Sequence, residues 1–570
     1  MLQKKCVVVN ANESCDSVYR LISKNSSSVE FPGMAIITND NNSLAGVVTD
    51  GDFRRGYIKN RDFSEKISQI MNSQPFWLTR EQLENHPQEI YKTWTKKYKK
   101  NVEFVLILDE KKNVQDIFAI NKINGSVGKE PPKIALIGMG FVGVTLAAHI
   151  LNEGEKVIAI DQNISVLEDL RKGFVGHVHE PGLEPILKAA VENKRLKCSE
   201  NIEDCNADIY IISVGTPVDE SGNVNTLPIE NACKAIGACL QIGSHVMLRS
   251  TVPVGTSRNV VIPILEQESN LKAGADFHIS FAPERTAEGA ALVELKSLPQ
   301  IVGSLSSNCQ EKALSFWNKI CPSVVSMDNL EAAELVKLAN NTFRDVSFAF
   351  ANELALLADR YNVNAFELIA AANDGYPRNN ISKPSPGVGG YCLTKDPLLY
   401  HSSLRNNTNE VTFGSHSRDI NNTAKYFPKK TLIDFCNHFN LDLKASKVLI
   451  MGMAFKGDPE TNDLRGSTSV ELYKDLSHLV DYISIFDWMV NLDILRGICT
   501  NIVQKLDEEI NDFDAIIIMN NHKKNVEIEN FLTETGNRLI FDGWSQLNKA
   551  VIQQYKNTQY ATLGYSTFRK

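Results

Sequence analysis

The sequence predicts an α/β protein in which two doubly wound domains are joined by a long central helix and preceded by a smaller α/β segment. At 570 residues the chain exceeds what one hydrophobic core usually organises, so three or four domains are expected. Strand-like runs alternate with helical patterns from Lys133 to about Val325 and again at 447–543, which is typical of parallel sheets covered by helices. Between them, residues 330–361 lack proline and glycine and repeat their apolar residues at helical spacing, which predicts one long helix.

The N-terminal segment alternates β-rich runs such as CVVV, MAIIT and FVLIL with helical stretches. The stretch SVGKEPPK at 126–133 holds two prolines and a glycine between apolar runs, which is typical of a linker. The predicted domains are therefore 1–129, 130–325, 326–440 and 441–570.

Composition narrows the function classes. With 43% hydrophobic and 22% charged residues the chain resembles ordinary globular proteins, and its net charge of -8 gives no overall attraction for nucleic acid or an anionic membrane. The sequence shows neither a secretory signal pattern nor roughly 20 uninterrupted apolar residues. Eleven cysteines without tight CxxC spacing predict mostly reduced thiols in a cytoplasmic protein, and no metal site is predicted.

A GxGxxG pattern follows the strand KIALI and opens a helix. Glycines in this context permit a tight turn and leave the helix N-terminus free to bind a pyrophosphate, so the first domain is predicted to be Rossmann-like. Asp161 ends the next strand at the distance expected of a carboxylate that bonds a ribose hydroxyl. That carboxylate repels a 2′-phosphate and no arginine adjoins it, which favours NAD over NADP. The predicted cofactor contacts in this region are Gly138, Gly140, Phe141, Val142, Gly143 and Asp161.

Cys392 lies in PSPGVGGYCLTKDP, a loop rich in glycine and proline that lets backbone approach a ligand closely. Lys395 beside it is expected to favour the thiolate. On the long helix, Lys337 and Asn341 are four residues apart and therefore share one face. A lone cysteine is usually an inert buried thiol, so the surrounding motif carries the prediction of a reactive one.

Five motifs resemble those of the UDP-glucose/GDP-mannose dehydrogenase family and occur in its order, over roughly three-quarters of the chain from Lys133. They are STVPVGT, FAPERTAEG, ELVKLANN, GGYCLTKDP and GMAFKGDPETNDLRGS. The resemblance implies NAD-dependent four-electron oxidation of the C6 hydroxymethyl group of a UDP-hexose to a carboxylate, with two NAD reduced per sugar, for surface polysaccharide precursors. An aldehyde has no leaving group, so a thiolate must add before the second hydride can leave, and water must then cleave the thioester.

The resemblance also implies roles for matching residues. Cys392 matches the nucleophile that attacks the C6 aldehyde, and Lys337 and Asn341 match the pair that binds the C6 oxygen and stabilises its negative charge. Asp396 matches a carboxylate that assists proton removal, and Glu284 matches the acid that helps to hydrolyse the thioester. Thr251 is implied to position the hydrolytic water and to contact the cofactor, with Thr216, Glu288 and Lys395 as further cofactor contacts. The implied substrate contacts are Glu284, Arg285, Lys337, Asn341, Arg378, Gly389, Gly390, Phe455, Lys456 and Arg465.

The sugar and the assembly are predicted less directly. YPRNN with PSPGVGG resembles the branch that acts on UDP-N-acetylhexosamines such as UDP-ManNAc or UDP-GlcNAc, while UDP-glucose and GDP-mannose stay open as alternatives. Arg378 matches a family arginine that reaches into the neighbouring subunit's site, which implies a homodimer or a higher oligomer. Trp544 stands where UDP-glucose enzymes carry an arginine, so that arginine's phosphate contact is not carried over.

The N-terminal stretches LAGVVTDGDFRRGYI and ISQIMNSQPFWLT resemble a cystathionine-β-synthase-type (CBS) domain, a regulatory module that occurs in pairs. Residues 1–60 form the first predicted repeat and 64–125 a weaker second. The resemblance implies that Thr49 and Asp52 contact the ribose of an adenine nucleotide, whereas the second repeat lacks that pair. An inert dimerisation or scaffold module is the alternative.

Two other functions are compatible with parts of the sequence. A hydroxyacid or 6-phosphogluconate-type dehydrogenase shares the first domain and a helical domain, but it needs neither the cysteine loop nor a second nucleotide-binding domain. A CBS nucleotide sensor on an inactive dehydrogenase scaffold is the candidate from another class. The intact set of Cys392, Lys337, Asn341 and Asp396 argues against it.

Overall fold

The computed structural model describes residues 2, 5–25, 29, 31, 33–49, 52–53, 64–85, 90, 104–119, 132–219, 224–404 and 412–569. The chain forms two compact units, Met1–Pro131 and Pro132–Lys570. Most of the predicted linker at 126–133 lies outside the described residues. Within the described part of the chain, no helix combines the length and the apolar character needed to cross a membrane.

The N-terminal unit consists of two halves with the same topology. Each half pairs two parallel strands and adds a third strand through an antiparallel hairpin. The hairpin registers Met34 to Thr49 and Phe104 to Ala119 differ by 70 positions at both ends, so the halves are structural repeats. The elements are β1 (Val7–Asn10), α1 (Cys15–Asn25), β2 (Met34–Thr38), β3 (Leu44–Thr49), β4 (Trp77–Thr79), α2 (Arg80–Asn85), β5 (Phe104–Leu108) and β6 (Val114–Ala119), with a 3-10 turn at Ile67–Gln69.

The second unit begins with an eight-stranded sheet. Its strands are β7 (Ile134–Ile137), β8 (Val157–Ile160), β9 (Leu196–Ser199), β10 (Ile209–Ile212), β11 (His245–Leu248), β12 (His278–Phe281), β13 (Gln300–Ser304) and β14 (Val324–Met327). Its helices are α3 (Phe141–Asn152), α4 (Ile164–Arg171), α5 (Leu183–Glu192), α6 (Leu227–Cys239), α7 (Ile262–Ser269, after a π turn at Ser257–Val261), α8 (Ala291–Glu294) and α9 (Ser307–Ile320). Apolar side chains of these helices cover both faces of the sheet.

Six strands follow the parallel order β9-β8-β7-β10-β11-β12, so the Rossmann-like prediction is confirmed for this part. The order reverses between β7 and β10, which is where such sheets bind nucleotides. The sheet departs from the predicted parallel arrangement towards one edge, because β13 runs antiparallel to β12. The connection between these strands holds only the four-residue α8, whereas a parallel crossover usually needs a full helix.

The long helix is confirmed as α10, which spans the 30 residues Leu330–Asp359 and ends two residues before the predicted limit. It begins where the Asn329 side chain accepts a hydrogen bond from the Ala332 amide at 2.8 Å. Four further helices follow: α11 (Ala365–Asn373), α12 (Tyr391–Leu404), α13 (Phe413–Ala424) and α14 (Phe427–Phe439). Of these, α12 and α13 pack against α10.

A second, smaller sheet completes the unit, as predicted. It has the order β16-β15-β17-β18-β19-β20, and only β20 is antiparallel to its neighbour. The elements are β15 (Lys447–Met451), α15 (Thr468–Leu476), β16 (Tyr482–Phe486), α16 (Leu492–Arg496), β17 (Ala515–Ile518), β18 (Arg538–Asp542), α17 (Lys549–Ile552), β19 (Thr558–Thr562) and β20 (Tyr565–Ser566), with 3-10 turns at Glu508–Asp512 and Lys523–Asn530.

The turns after β7 and β15 share one design. Gly138 and Gly452 both adopt positive φ, at 92° and 85°. The carboxylate that ends the next strand then accepts an amide hydrogen bond from the turn, at 2.6 Å for Asp161 and 2.9 Å for Asp487. In the first domain a helix starts directly after the turn. In the second, residues 454–467 intervene before α15, and this inserted loop carries three of the predicted substrate contacts, Phe455, Lys456 and Arg465.

Candidate active site

The glycine turn is built as the motif predicts. A Cβ atom on Gly143 would lie 1.8 Å from the Gly138 carbonyl oxygen, so only glycine allows α3 to approach the turn this closely. The Ser213 hydroxyl, just after β10, donates to the carbonyls of Ile137 at 2.9 Å and Gly138 at 2.8 Å. With Gly140 as N-cap, the first amides of α3 are available at the point where the strand order reverses.

A cleft of about 580 Å³ opens beside this turn, between Gly138 and Gly140 on one side and α6 on the other. Its acidic side chains are Asp161, Glu200 and Glu203, and among its described lining residues there is no lysine or arginine. A cleft with this charge accepts a ribose hydroxyl and disfavours an added 2′-phosphate. The residues present therefore fit NAD and not NADP.

The thiol loop is shaped by contacts with the second sheet's inserted loop. Gly390 has φ of +90°, and a Cβ there would meet the Phe455 ring at 2.7 Å. A Cβ on Gly389 would lie 2.6 Å from the Gly466 carbonyl. The two glycines let both loops approach each other directly beside Cys392, the second residue of α12.

Four charged side chains surround the thiol, and the Asn341 amide is bonded to one of them. Asn341 donates to Asp396 Oδ2 at 2.5 Å, and Lys395 donates to Asp396 Oδ1 at 2.6 Å. Lys337 Nζ lies 3.8 Å from Glu284 Oε2, with both side chains buried. Glu284 follows the end of β12 and also accepts a hydrogen bond from the Thr286 amide. The predicted catalytic residues of the long helix, the FAPER stretch and the cysteine loop are thus placed together. Lys337, Glu284 and Asp396 contribute to the electrostatic environment of the thiol, and Asn341 is bonded to Asp396.

Cys392 is exposed as a residue, but the surrounding side chains withdraw its thiol from bulk water. Withdrawal from bulk water, followed by the negative charge of Asp396, raises the pKa of this thiol, while Lys337 and Lys395 act in the opposite direction. Lys395 does favour the thiolate, as expected, but burial and the charge of Asp396 outweigh it. Burial acts to lower the pKa of Lys395, but the charge of Asp396, the charge of Cys392 and the hydrogen bond to Asp396 together outweigh it, so this pKa is raised.

Two threonines join the loops after β10 and β11. The Thr216 hydroxyl is buried and donates to the Thr251 carbonyl at 2.7 Å. Tyr391, directly before the thiol, places its hydroxyl oxygen 3.9 Å from the Cβ position of Gly215. The NAD-side loops and the cysteine loop are therefore neighbours. Sequence reasoning did not single out Tyr391, although its position beside the cysteine was a usable signal.

Glu288 lies with the second domain's loop. Its carboxylate accepts from the Thr461 hydroxyl at 2.9 Å, and its carbonyl accepts from Lys456 Nζ at 2.7 Å. Burial, followed by repulsion from Asp463, raises the pKa of Glu288. Arg465 lies over the Tyr391 ring at 5.3 Å and contributes to the environment of Glu288. The residue predicted for the cofactor is thus placed beside two residues predicted for the substrate.

Three other residues lie apart from this cluster. The Arg285 guanidinium donates to the Pro299 carbonyl. Arg378 is exposed and stacks over Tyr376 at 5.5 Å. The indole N–H of Trp544 donates to the Met519 carbonyl at 2.8 Å, so this side chain is fixed to its own sheet.

In the N-terminal unit, Thr49 and Asp52 are brought together. The amide and the hydroxyl of Thr49 donate to Asp52 Oδ2 at 2.9 and 2.8 Å. In the second repeat, the 70-residue offset aligns Thr49 with Ala119 and Asp52 with Lys122. Lys122 lies outside the described residues, but its identity shows that the second repeat lacks the acidic partner.

Models of one protein family match three stretches of the chain. The family's NAD binding domain matches residues 132–321, its central domain 331–423 and its UDP binding domain 449–549. A UDP-N-acetyl-D-mannosamine dehydrogenase of Pyrococcus horikoshii is 31% identical over 415 residues, which cover 72% of this chain and 95% of the relative. The Campylobacter jejuni enzyme of the same name is 32% identical over 411 residues, covering 70% and 97%.

Solved structures agree with this result. The P. horikoshii UDP-D-ManNAc dehydrogenase superposes with a TM-score of 0.68 at 28% identity, over 76% of this chain and 99% of that one. A UDP-glucose dehydrogenase of Pyrobaculum islandicum gives 0.67 at 26% identity, over 77% and 99%. The fold and the site define an NAD-dependent oxidoreductase that acts on nucleotide sugars. The chain belongs to the UDP-glucose/GDP-mannose dehydrogenase family.

Proposed function

We propose that the protein oxidises C6 of UDP-N-acetyl-D-mannosamine to the carboxylate in the cytoplasm, where Cys392 stays reduced. The observation that carries the proposal is the convergence of Lys337, Asn341, Asp396 and Glu284 on this thiol. Several relatives of about 30% identity are named for this substrate. The predicted division into four domains, with the thiol loop in the helical third domain, is part of the proposal.

In the first oxidation the C6 hydroxyl must lose a proton as its carbon loses hydride. Asp396 is the nearest buried carboxylate on the thiol's helix, and with Lys395 it provides a path for that proton. Lys337 and Asn341 hold the oxygen and stabilise its developing charge. NAD, when bound in the cleft beside Gly138, supplies the hydride acceptor.

The second oxidation needs a covalent step. Cys392 adds as thiolate to the C6 aldehyde and forms a thiohemiacetal, which becomes a thioester after loss of the second hydride. Glu284, 3.8 Å from Lys337, is placed to accept a proton from the water that cleaves this thioester. We assign Thr251 to positioning that water, since it lies on the neighbouring loop after β11.

The UDP group is assigned to the second sheet's inserted loop. Lys456 is half-buried, which lowers its pKa, and Arg465 lies over Tyr391 next to the thiol. These two cations are suited to a diphosphate. Gly389, Gly390 and Phe455 shape the adjoining wall, where we place the sugar.

The test is NADH formation by the purified chain with NAD and each of UDP-ManNAc, UDP-GlcNAc, UDP-GalNAc and UDP-glucose. We expect UDP-ManNAc to give the highest kcat/KM and two NADH per sugar. A ratio of one would remove the thioester step. Activity confined to UDP-glucose would overturn the sugar assignment, and no NADH with any sugar would favour an inactive scaffold.

We further propose that the enzyme is a homodimer in which Arg378 reaches the neighbouring site. Phe343, Phe350 and Leu357 recur every seven residues along α10 and are more than half exposed, so they form one apolar stripe. Phe350→Glu is expected to give monomers in light scattering. Tyr482→Glu, at an equally exposed aromatic residue of β16, is the control and is expected to leave the dimer intact. A monomeric native chain would contradict the proposal.

For the N-terminal unit we propose an adenine nucleotide at Thr49 and Asp52 that modulates activity, one site per pair of repeats. Support comes from the mutual placement of these two residues and from the loss of both residue types in the second repeat. Calorimetry with AMP and ATP on the full chain, on Thr49→Val and on the control Ser43→Ala tests it. Equal heats from all three proteins, or no heat together with unchanged rates after deletion of residues 1–129, would leave an inert scaffold.

A further inference from the structure

One buried ion pair lies behind the thiol loop. Arg418 Nη1, on α13, lies 2.8 Å from Asp345 Oδ1, on α10, and both side chains are more than nine-tenths buried. The Ser417 hydroxyl at 2.6 Å and the Asn421 amide at 2.9 Å also donate to the Asp345 carboxylate. The carboxylate is thus satisfied by three donors of one helix and fixes the position of α13 against α10.

The same arginine holds the loop that carries the nucleophile. Arg418 Nη2 donates to the Val388 carbonyl at 3.3 Å, and Nη1 donates to the Leu393 carbonyl at 3.4 Å. These carbonyls lie four residues before and one residue after Cys392. The guanidinium therefore holds the loop on both sides of the thiol.

The start of the loop is held by the same two helices. Asn352 Oδ1, on α10, accepts from the Ser385 amide at 2.8 Å, and its Nδ2 donates to Asn421 Oδ1 on α13 at 2.9 Å. Asn352 is fully buried. Three points of one short loop are therefore attached to α10 and α13 by buried polar bonds.

The helix that carries Asp345 also carries the groups that bind the reacting oxygen. Asn341 lies four residues before Asp345 and Lys337 eight residues before it, so all three share one face. Buried ion pairs can often be replaced by apolar groups without loss of stability. The Arg418–Asp345 pair is better explained by its effect on the position of the thiol loop, because its arginine also donates to two loop carbonyls.

We propose that Arg418, oriented by Asp345, is a positioning residue that sets the distance from Cys392 to Lys337 and Asn341. The proposal rests on the proposed function, because this distance matters only if the thiol attacks a carbon whose oxygen those two residues hold. An arginine is required because its planar guanidinium can serve a carboxylate and two carbonyls at once. A lysine at this position can keep the ion pair but cannot hold both sides of the loop.

The test compares Arg418→Gln and Arg418→Lys with a matched control in the full chain. Arg538→Gln is that control, since Arg538 is also buried, lies at the start of β18 and donates to Asn511. We measure kcat with UDP-ManNAc, KM for NAD, and the rate at which iodoacetamide alkylates Cys392, read from its peptide by mass spectrometry.

We expect Arg418→Gln to lower kcat by about 100-fold, the size typical of a misplacement of about 1 Å. KM for NAD should stay within about threefold of the native value, because the NAD cleft is untouched. The alkylation rate of Cys392 should differ from the native rate by more than about threefold. Arg418→Lys should recover part of kcat, and Arg538→Gln should match the native chain in both properties.

Native kcat and native alkylation in Arg418→Gln would overturn the proposal, as would equal losses in Arg538→Gln. If Arg418→Gln fails to fold, Asn352→Ala removes one loop attachment and keeps the ion pair, and an unchanged alkylation rate there would count against the proposal. Absence of NADH from the native chain would instead refute the proposed function, while alkylation still reports the position of the thiol.

Discussion

The Asn341 amide donates a 2.5 Å hydrogen bond to Asp396 and thereby joins the long helix α10 to the helix that begins beside the thiol. Both side chains are buried, and Asp396 has no exposed surface. Because the second oxygen of this carboxylate is taken by Lys395, the three residues form one connected set.

Asn341→Ala removes a donor from a buried carboxylate and the proposed contact for the C6 oxygen. We expect a loss of about 100-fold in kcat and of about 1–3 kcal/mol in stability, the usual range when a buried acceptor loses its partner. Steady-state kinetics and thermal unfolding measure the two effects. Asn373→Ala, whose amide bonds backbone at Ile381, serves as control. A native kcat in Asn341→Ala would remove this residue from the oxygen site.

Cys392→Ser keeps the volume of the side chain but replaces the thiolate by a far weaker nucleophile. The variant is expected to stall at or before the thioester and to bind NAD with nearly native affinity, since the cleft at Gly138 is untouched. Single-turnover NADH formation and calorimetric titration with NAD measure this. Cys321→Ser, at a half-buried thiol, should behave as the native chain. Loss of NAD binding in Cys392→Ser would give the loop a structural role.

The raised pKa of Cys392 predicts slow alkylation at pH 7 and a rate that keeps rising with pH above the ordinary range for a thiol. Asp396→Asn should speed the reaction at pH 7, because removing the negative charge lowers the pKa of the thiol and frees Lys395 to stabilise the thiolate. Lys337→Met should slow it, since its ammonium favours the thiolate. Alkylation followed from pH 6 to 10 tests both signs, and a slower reaction in Asp396→Asn would contradict the charge balance.

His245 predicts how stability depends on pH. Burial lowers the pKa of this imidazole to about 3 in the folded chain, against 6.5 for the free group. Between pH 3 and 6.5 the imidazole binds a proton in the unfolded chain but not in the folded chain. The contribution of neutral His245 to stability is therefore complete above pH 6.5 and is lost as the pH falls towards 3. At pH 5 the loss is about 2 kcal/mol. Thermal midpoints at pH 7 and 5 should differ less in His245→Asn than in the native chain, and an equal difference in both proteins would argue against this assignment.

Much of this fold could be predicted because its signals are local. The length of α10 follows from an uninterrupted helical period, and the glycine turn follows from residues whose Cβ atoms would collide with backbone. The antiparallel β13 could not be predicted, because strand direction depends on how the chain returns to the sheet. The raised pKa of Cys392 could not be predicted, since the burial of the thiol and its proximity to Asp396 are visible only in three dimensions.

The position of Asp345 could have been inferred, because it continues the face of Lys337 and Asn341 along the helix. The pairing with Arg418 could not, since 73 residues separate the two along the chain. Glu288 was likewise assigned to the cofactor from its motif, while its hydrogen bonds are with the inserted loop of the second sheet.

The uninterrupted helix α10 has a mechanical consequence. It contains no proline or glycine, the usual causes of a sharp kink, so the groups mounted on it travel together. The Lys337 ammonium and the Asn341 amide therefore keep their spacing independently of the surrounding loops, because one continuous helix carries both.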